Sequence, residues 1–374
     1  MTKSWQHCKK ILIIRADNMG DLIMSAPAIR ALKQTFSSHI TVLTSFMAAG
    51  ITPYLPEIDD VIVFDLPWVK AKEVAGSEAI FTLVQQLKER NFDAAVIFTV
   101  FSQNPMPAAM IAYMAGIPLR LAYSRENPYK LLTEWVPDQE PYTFIQHQVT
   151  RDLELVQSVG ATTNDHRLQL HISHEVFSAV KTKLTNASID LNKPWLIFHA
   201  GVSEKKREYP SALWIKAARK LIEEKGYQVL FTGAGSEKPM CDELASAAGT
   251  NAFSIAGLLK LNEFIALVKE APVVVSVNTG TVHIAAAVNT LVVVLYAQTN
   301  PQHTPWMVAN RILEFGVDEN SRSKNEVVQF LYKQVYNCPT PMPNENDICN
   351  GVSEILSEMP ESPAYISSPA VLPA

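Results

Sequence analysis

The chain has 374 residues and a formal net charge of -5, with 48% hydrophobic and 18% charged residues. This length predicts two domains, and the composition excludes a chain that is disordered throughout. The slightly acidic balance argues against a nucleic-acid-binding protein that relies on a strongly basic surface.

Short apolar runs alternate with amphipathic stretches, a pattern typical of βα units and a parallel sheet. In the first half, strands are predicted at 11–14, 39–44, 61–65 and 94–99, with helices at 22–35 and 77–90. In the second half, strands are predicted at 195–199, 228–232, 252–255, 273–277 and 291–296, with helices near 211–225, 237–248, 262–270 and 281–288. A linker is predicted near 165–190. We therefore predict an α/β protein with two Rossmann-like doubly wound domains, 1–170 and 190–340.

The excess of acidic residues lies in the C-terminal segment. Residues 339–374 contain five acidic residues and no Lys or Arg, whereas the rest of the chain carries 32 of each sign. The same 36 residues include seven prolines. We predict an acidic, Pro-rich tail over 341–374, mostly unstructured, with a short helix near 347–358.

The cysteine pattern and the apolar runs predict a cytoplasmic location. The four cysteines form no C-x-x-C pair, which favours reduced thiols. Pairing or metal binding by Cys338 and Cys349 is the alternative interpretation. The apolar run at 11–14 is too short for a signal peptide, and the window 284–297 is too short for a membrane span.

The first predicted strand is followed by a loop that contains two carboxylates, Asp17 and Asp21. Asp21 lies where the helix begins, so it is either a first-turn acid that complements the helix dipole or a general base. Asp17 competes for the second role, and spacing alone does not separate the two. The loop lacks G-x-G-x-x-G, and Gly233-Ala234-Gly235 is only a fragment of that pattern, so a dinucleotide dehydrogenase has little support.

Two loops of the second half predict a phosphate site. Thr279-Gly280 at a helix start offers backbone N–H groups to an anion, and His283 lies one turn further on. The alternative is a capped helix with a packed histidine. The run Lys205-Lys206-Arg207 also follows a strand, so it is either a solvated charge run or a diphosphate clamp. Glu237 is a candidate acceptor for ribose hydroxyls or a first-turn helix acid. There is no P-loop, so a nucleoside triphosphate is not the first choice of ligand.

The chain resembles glycosyltransferase family 9, the ADP-heptose:lipopolysaccharide heptosyltransferase group, over roughly residues 10–340. The resemblance rests on I-L-I-I-R-A-D-N-M-G-D-L-I at 11–23, H-x-V-x-R at 147–151, G-x-G-S-E at 233–237, N-T-G-x-x-H-I-A-A-A at 278–287 and T-N-P-x-x-T-P-W at 299–306. It implies a GT-B fold with two domains facing a central cleft. It also implies an inverting, metal-independent transfer of a sugar from a nucleotide diphosphate to a lipopolysaccharide-core or related glycan acceptor.

The resemblance also assigns roles to individual residues. Asp21 matches the catalytic base in the M-G-D motif, which favours it over Asp17. The residues carried over to the donor site are Thr279, Gly280 and His283 for the diphosphate, Glu237 for the ribose, Leu261 for the adenine, and Arg207, with Lys206 beside it, at the lysine position of K-x-W-P. Which of Lys206 and Arg207 contacts phosphate stays open. Asn278 stands where heptosyltransferases commonly have Asp, so the negative charge is lost. Arg120 and Arg151 are the candidates for binding an anionic acceptor.

The resemblance further implies the ligands and partners. We expect ADP-heptose as the donor, no further cofactor, no metal, a glycolipid or glycan acceptor and no nucleic acid. We also expect a monomer, with peripheral contact at the inner face of the cytoplasmic membrane. The alternatives are a transferase or epimerase for another nucleotide sugar, and a catalytically degenerate nucleotide-sugar-binding protein. Asn278 is the residue that leaves a catalytically degenerate protein as an alternative.

Overall fold

The computed structural model describes residues 4–69, 76–358 and 370–371. Contacts divide the chain into two units. The first comprises the described residues of Met1–Arg167, Asn325–Gln334 and Ser368–Ala374, and the second those of Leu168–Lys324 and Val335–Ser367.

The strands and helices alternate along most of the chain. The strands are β1 (Lys10–Ile14), β2 (His39–Thr44), β3 (Asp60–Val63), β4 (Ala94–Ile97), β5 (Leu119–Ser124), β6 (Glu134–Pro137), β7 (Phe144–Ile145), β8 (Trp195–His199), β9 (Gln228–Thr232), β10 (Ala252–Ser254), β11 (Val274–Val277), β12 (Val292–Ala297), β13 (Asn310–Phe315) and β14 (Ala370–Val371). The helices are α1 (Met19–Phe36), α2 (Phe46–Ala49), α3 (Ser77–Arg90), α4 (Met106–Met114), α5 (Gln148–Gln157), α6 (Val176–Asn186), α7 (Ser211–Lys225), α8 (Lys238–Ala248), α9 (Leu261–Glu270), α10 (Gly280–Ala287), α11 (Glu326–Gln334) and α12 (Glu345–Ser357).

Each unit is built on a six-stranded parallel sheet. The strand orders are β3-β2-β1-β4-β5-β6 in the first unit and β10-β9-β8-β11-β12-β13 in the second. The central strands are buried almost throughout, as the apolar runs predict for a parallel sheet that is covered on both faces. The strand order reverses between β1 and β4 and between β8 and β11, which is where α/β sheets place their ligands.

The C-terminal segment contributes to both units. Helix α12 begins with a capping box between Asn344 and Asp347 and buries Ile348, Val352 and Ile355 in the second unit. The sequence predicts a short helix near 347–358 here, within the segment interpreted as a tail. Strand β14 pairs antiparallel with β7 of the first unit. The unstructured tail predicted beyond α12 otherwise lies outside the described residues.

Within the parts of the chain that the structure describes, no helix combines the length and the apolar character that crossing a membrane requires.

Candidate functional site

Asp21 lies in the first turn of α1, at the carboxyl end of β1. The helix begins at Met19, three residues earlier than predicted, so Asp21 completes a capping box with Asn18. The Asn18 backbone N–H donates to Asp21 Oδ2 at 3.1 Å, and Arg15 Nη2 lies 3.3 Å from Oδ1. The side chain is 10% exposed. Asp21 therefore caps the helix. The capping box holds its carboxylate at the carboxyl edge of the sheet, where α/β proteins bind ligands.

Asp17 shares the same arginine. Arg15 is fully buried and its Nη1 lies 3.5 Å from Asp17 Oδ2, while Gln103 Nε2 donates to Asp17 Oδ1 at 2.5 Å. Burial raises the pKa of Asp17 above its ordinary value, and Arg15 opposes that rise. The two candidate bases thus flank one guanidinium.

Arg151 and Arg120 are occupied by the protein itself. The Arg151 side chain is 1% exposed and pairs with Asp138 at 2.9 Å and Glu140 at 2.6 Å. Arg120 is buried and donates to backbone carbonyls, among them that of Leu131 at 2.7 Å. These placements favour structural roles over the predicted contact with an anionic acceptor.

A buried carboxylate that sequence reasoning missed lies close to Asp21. Asp152 on α5 is 1% exposed and accepts a hydrogen bond from Ser25 Oγ at 2.7 Å. Ser25 lies one turn after Asp21 on α1. The available signal was its position on the apolar face of α5, between Val149 and Leu155, directly after the H-x-V-x-R motif.

In the second unit, Arg207 lies beside the loop that leads into α10. A 3-10 helix at Lys205–Arg207 follows β8, and Arg207 Nη1 donates to the Asn278 carbonyl at 3.2 Å. Among the described residues, Arg207 Nε and Thr279 Oγ1 are buried and have no hydrogen-bond partner. Glu204 pairs with both Lys206 and Arg207, at 3.3 and 3.4 Å. The predicted clamp and the predicted phosphate loop therefore come together through Arg207.

The Asn278 side chain ties the end of β11 to the end of β12. Its Nδ2 donates to the Ala297 carbonyl and to Thr299 Oγ1, both at 3.2 Å, and its Oδ1 accepts from the Ala297 backbone N–H at 3.3 Å. A carboxylate could accept the last bond but could not donate the other two. The departure from Asp therefore has a structural explanation in this chain.

Helix α10 presents its N-terminus at the same edge of the second sheet. Thr279 is the N-cap and makes no side-chain capping bond, and Gly280 is the first helical residue. His283 is 6% exposed, and its ring centroid lies 6.2 Å from that of His303. The T-N-P-x-x-T-P-W segment therefore lies beside α10. Its His303, at an x position of the motif, is a residue that sequence reasoning did not single out.

Glu237 lies over two glycines at the ends of β8 and β9. Its Oε2 accepts from the Ala234 backbone N–H at 2.7 Å, and a Cβ on Gly201 would lie 2.1 Å from its Oε1. The Gly257 N–H donates to the Gly233 carbonyl at 3.0 Å, so the loop that leads into α9 lies against this turn. Leu261, half-buried, is the first residue of α9. The predicted donor residues thus follow the carboxyl ends of β8, β9, β10 and β11, at one edge of the second sheet.

Within the described ranges, no group of three or more His, Cys, Asp or Glu side chains is arranged to hold a metal ion.

The sequence matches the family model for glycosyltransferase family 9 (heptosyltransferase) over residues 80–335. It is 26% identical over 307 residues to lipopolysaccharide heptosyltransferase 2 of Escherichia coli (strain K12), covering 79% of this chain and 85% of that protein. The fold is similar to that of a family 9 glycosyl transferase from Veillonella parvula DSM 2008, with a TM-score of 0.73 and 17% identity over 96% of this chain and 99% of that one. It is also similar to that of E. coli ADP-heptose lps heptosyltransferase II, with a TM-score of 0.69 and 21% identity over 93% and 99%.

These comparisons confirm the predicted fold class of two doubly wound α/β domains of the GT-B type. They also confirm the resemblance and the predicted enzyme class, because the family model covers most of the chain. The protein belongs to glycosyltransferase family 9, the heptosyltransferase family.

Proposed function

We propose that this glycosyltransferase transfers a heptose from ADP-heptose to a lipopolysaccharide-core acceptor, with inversion and without a metal ion. The observation that carries the proposal is the pair of buried, unpartnered polar atoms on Arg207 and Thr279, beside the N-terminus of α10. Buried donors without partners are unfavourable unless a ligand satisfies them, and a diphosphate would do so. The names of the E. coli relatives, which include ADP-heptose and lipopolysaccharide, support the choice of donor and acceptor.

The reaction is a single displacement in this proposal. Asp21 takes the proton of an acceptor hydroxyl, whose oxygen forms a bond to the anomeric carbon. The bond between that carbon and the phosphate oxygen breaks from the opposite face, and its electron pair leaves on the diphosphate. Arg207, Lys206, His283 and the Thr279–Gly280 turn would stabilise the developing negative charge, which supports transfer without a metal ion.

The remaining donor residues would fix the nucleoside. Glu237 would accept hydrogen bonds from the ribose hydroxyls, and Leu261 would contact the adenine. The protein bonds made by the Asn278 amide support a positioning role at the end of β11. This role weakens the alternative of a degenerate binding protein, since the residue that departs from the family pattern serves the fold of the donor loop.

The test is acceptor-dependent release of ADP from ADP-heptose, with a heptose-deficient lipopolysaccharide core as acceptor. We expect release to depend on the acceptor, to persist with EDTA and to give a product of inverted anomeric configuration. Asp21→Asn should reduce kcat by about 10²–10⁴-fold. If the enzyme uses a donor other than ADP-heptose, a screen of UDP- and GDP-sugars would identify it. Donor binding in calorimetry without transfer would contradict the proposed enzyme and support the degenerate binding protein.

A further inference from the structure

Asp152 is a buried carboxylate for which the proposed reaction has no role. It is 1% exposed, and its two oxygens accept hydrogen bonds from Gln148 Nε2 at 2.8 Å and Ser25 Oγ at 2.7 Å. Burial is the main reason why its pKa is raised to about 6, and Arg15 and the two hydrogen bonds oppose the rise. A buried acid that ionises close to neutral pH beside a candidate site is a feature that folding alone does not require.

Arg15 links Asp152 electrostatically to the proposed base. The fully buried guanidinium interacts with Asp17, Asp21 and Asp152, so three carboxylates share its charge. Its contacts with Asp17 and Asp21 are 3.5 and 3.3 Å long. A fully formed charge-assisted hydrogen bond is about 2.8 Å long, so neither contact is as close as it could be.

Ser25 connects Asp152 to the helix that carries Asp21. Its Oγ lies 2.7 Å from Asp152 Oδ2 and 3.1 Å from the Asp21 carbonyl oxygen. A hydroxyl has one hydrogen, so both contacts are linear hydrogen bonds only when Asp152 carries a proton on Oδ2. Loss of that proton commits the Ser25 hydrogen to the Asp152 carboxylate and changes the bonding of the first turn of α1.

The titratable groups around Asp152 and Arg15 come from each element packed against them. Arg15 and Asp17 follow β1, Asp21 lies on α1 and Arg151 lies on α5. Tyr123 on β5 is neutral, because burial raises the pKa of its hydroxyl. Arg151 also acts on Asp152 but is paired with Asp138 and Glu140, whereas Arg15 is the cation that interacts with both Asp152 and Asp21.

We infer that Asp152 is a positioning residue for glycosyl transfer, whose negative charge draws Arg15 away from Asp21 and so maintains the basicity of Asp21. The inference rests on the proposed function, in which Asp21 is the base. Without the charge on Asp152, Arg15 closes on Asp21, stabilises its ionised form and makes it a weaker base.

The test compares pH profiles of kcat for the wild type, Asp152→Asn and Glu57→Gln. The asparagine keeps the shape of the side chain and removes the charge. We expect its kcat to fall by about 3–10-fold at pH 8 with an unchanged donor KM. The acid limb of its profile should move to lower pH by about 0.5–1 unit. Glu57→Gln is the control. It neutralises a buried carboxylate that pairs at 2.7 Å with Arg30, which lies on α1 like Asp21. The acid limb of the Glu57→Gln profile should stay where it is in the wild type.

Two results would overturn the inference, and they are distinguishable. An Asp152→Asn enzyme with the wild-type acid limb, whatever its thermal stability, would show that Asp152 only supports the fold, while leaving the proposed function intact. Near-normal transfer by Asp21→Asn would remove the base itself and this inference with it. A shifted acid limb in Asp152→Asn together with an inactive Asp21→Asn supports both the positioning role of Asp152 and the role of Asp21 as the base.

Discussion

The carboxylate of Glu237 occupies the space that a side chain on Gly201 would fill, since a Cβ there would lie 2.1 Å from Glu237 Oε1. Gly201→Ala should therefore displace Glu237 from the proposed ribose position. We expect the donor KM to rise by about 10–100-fold, the range for a lost hydrogen bond to a charged group. The melting temperature should change little, because the displaced atoms are the end of a flexible side chain. A double-mutant cycle tests whether the effect acts through Glu237: in a Glu237→Ala background, Gly201→Ala should raise the donor KM little further. If the two increases in KM are additive, the explanation is wrong.

The contacts of Lys206 and Arg207 predict unequal roles. Both side chains pair with Glu204, but Arg207 also donates to the Asn278 carbonyl and has a buried, unpartnered Nε. Arg207→Met should lower kcat by about 10²-fold, the usual effect of removing one preorganised donor, and Lys206→Met by less than about tenfold. Steady-state kinetics with saturating acceptor measure both. Equal losses would mean that the lysine shares the phosphate clamp.

Arg151 is predicted to stabilise the first unit. Arg151→Met removes the cation that pairs with the buried Glu140 and leaves Asp138 with Arg125, at 3.3 Å, which should lower the free energy of unfolding by about 3–5 kcal/mol. Urea denaturation measures the loss. Arg167→Met provides the matched control, because Arg167 makes an exposed pair with Asp165, and its removal should have little effect. A stable Arg151→Met protein with a raised acceptor KM would instead support the acceptor-binding role.

Asp152 should give the stability of the protein a measurable pH dependence. Its folded-state pKa of about 6 lies above the ordinary value of 3.8, so the folded state holds the proton more tightly than the unfolded state. Stability should therefore fall as the pH rises from about 4 to 6, and Asp152→Asn should lack that fall. The variant should gain up to about 3 kcal/mol relative to the wild type at pH 7 and nothing below pH 4.

A second aspartate provides the opposite sign. The hydrogen bonds from Arg167 lower the pKa of Asp165 to about 2, so its contribution is present above about pH 4 and lost as the pH falls towards 2. Because the pair with Arg167 is exposed, Asp165→Asn should lose only a small amount of stability at neutral pH, and the difference from the wild type should shrink in acid. Parallel curves for the two variants would contradict both assignments.

Much of the architecture could be predicted, because β1, β8 and β11 are continuous apolar runs followed by distinctive loops. Helix α4 was missed because its nine residues are apolar nearly all round and show no helical periodicity. Strand β5 was missed because it contains Arg120, whose charge is satisfied by the carbonyls of Lys130 and Leu131, 10 and 11 residues further on. Local sequence does not reveal such partners.

The same limit applies to the candidate site. Loops that follow strands indicated Asp17, Asp21, Thr279 and Arg207 as candidates, and the family resemblance favoured Asp21 over Asp17. Asp152 could not be connected to Asp21 from sequence, because 131 residues separate them and their link runs through Ser25 and the buried Arg15. The role of Asn278 likewise depends on Ala297 and Thr299, which only the sheet brings within reach.

Helix α11 lies far along the chain from the rest of the first unit, yet it packs there, with the Phe330 ring 4.9 Å from that of Tyr142. All six strands of the second sheet precede α11, so a ribosome releases the whole second sheet before the first unit can be completed. A fragment that stops at Arg167 would leave the surface around Tyr142 without its helix. During synthesis from the N-terminus, the first unit is therefore the first to begin folding, but it cannot be completed until α11 has left the ribosome.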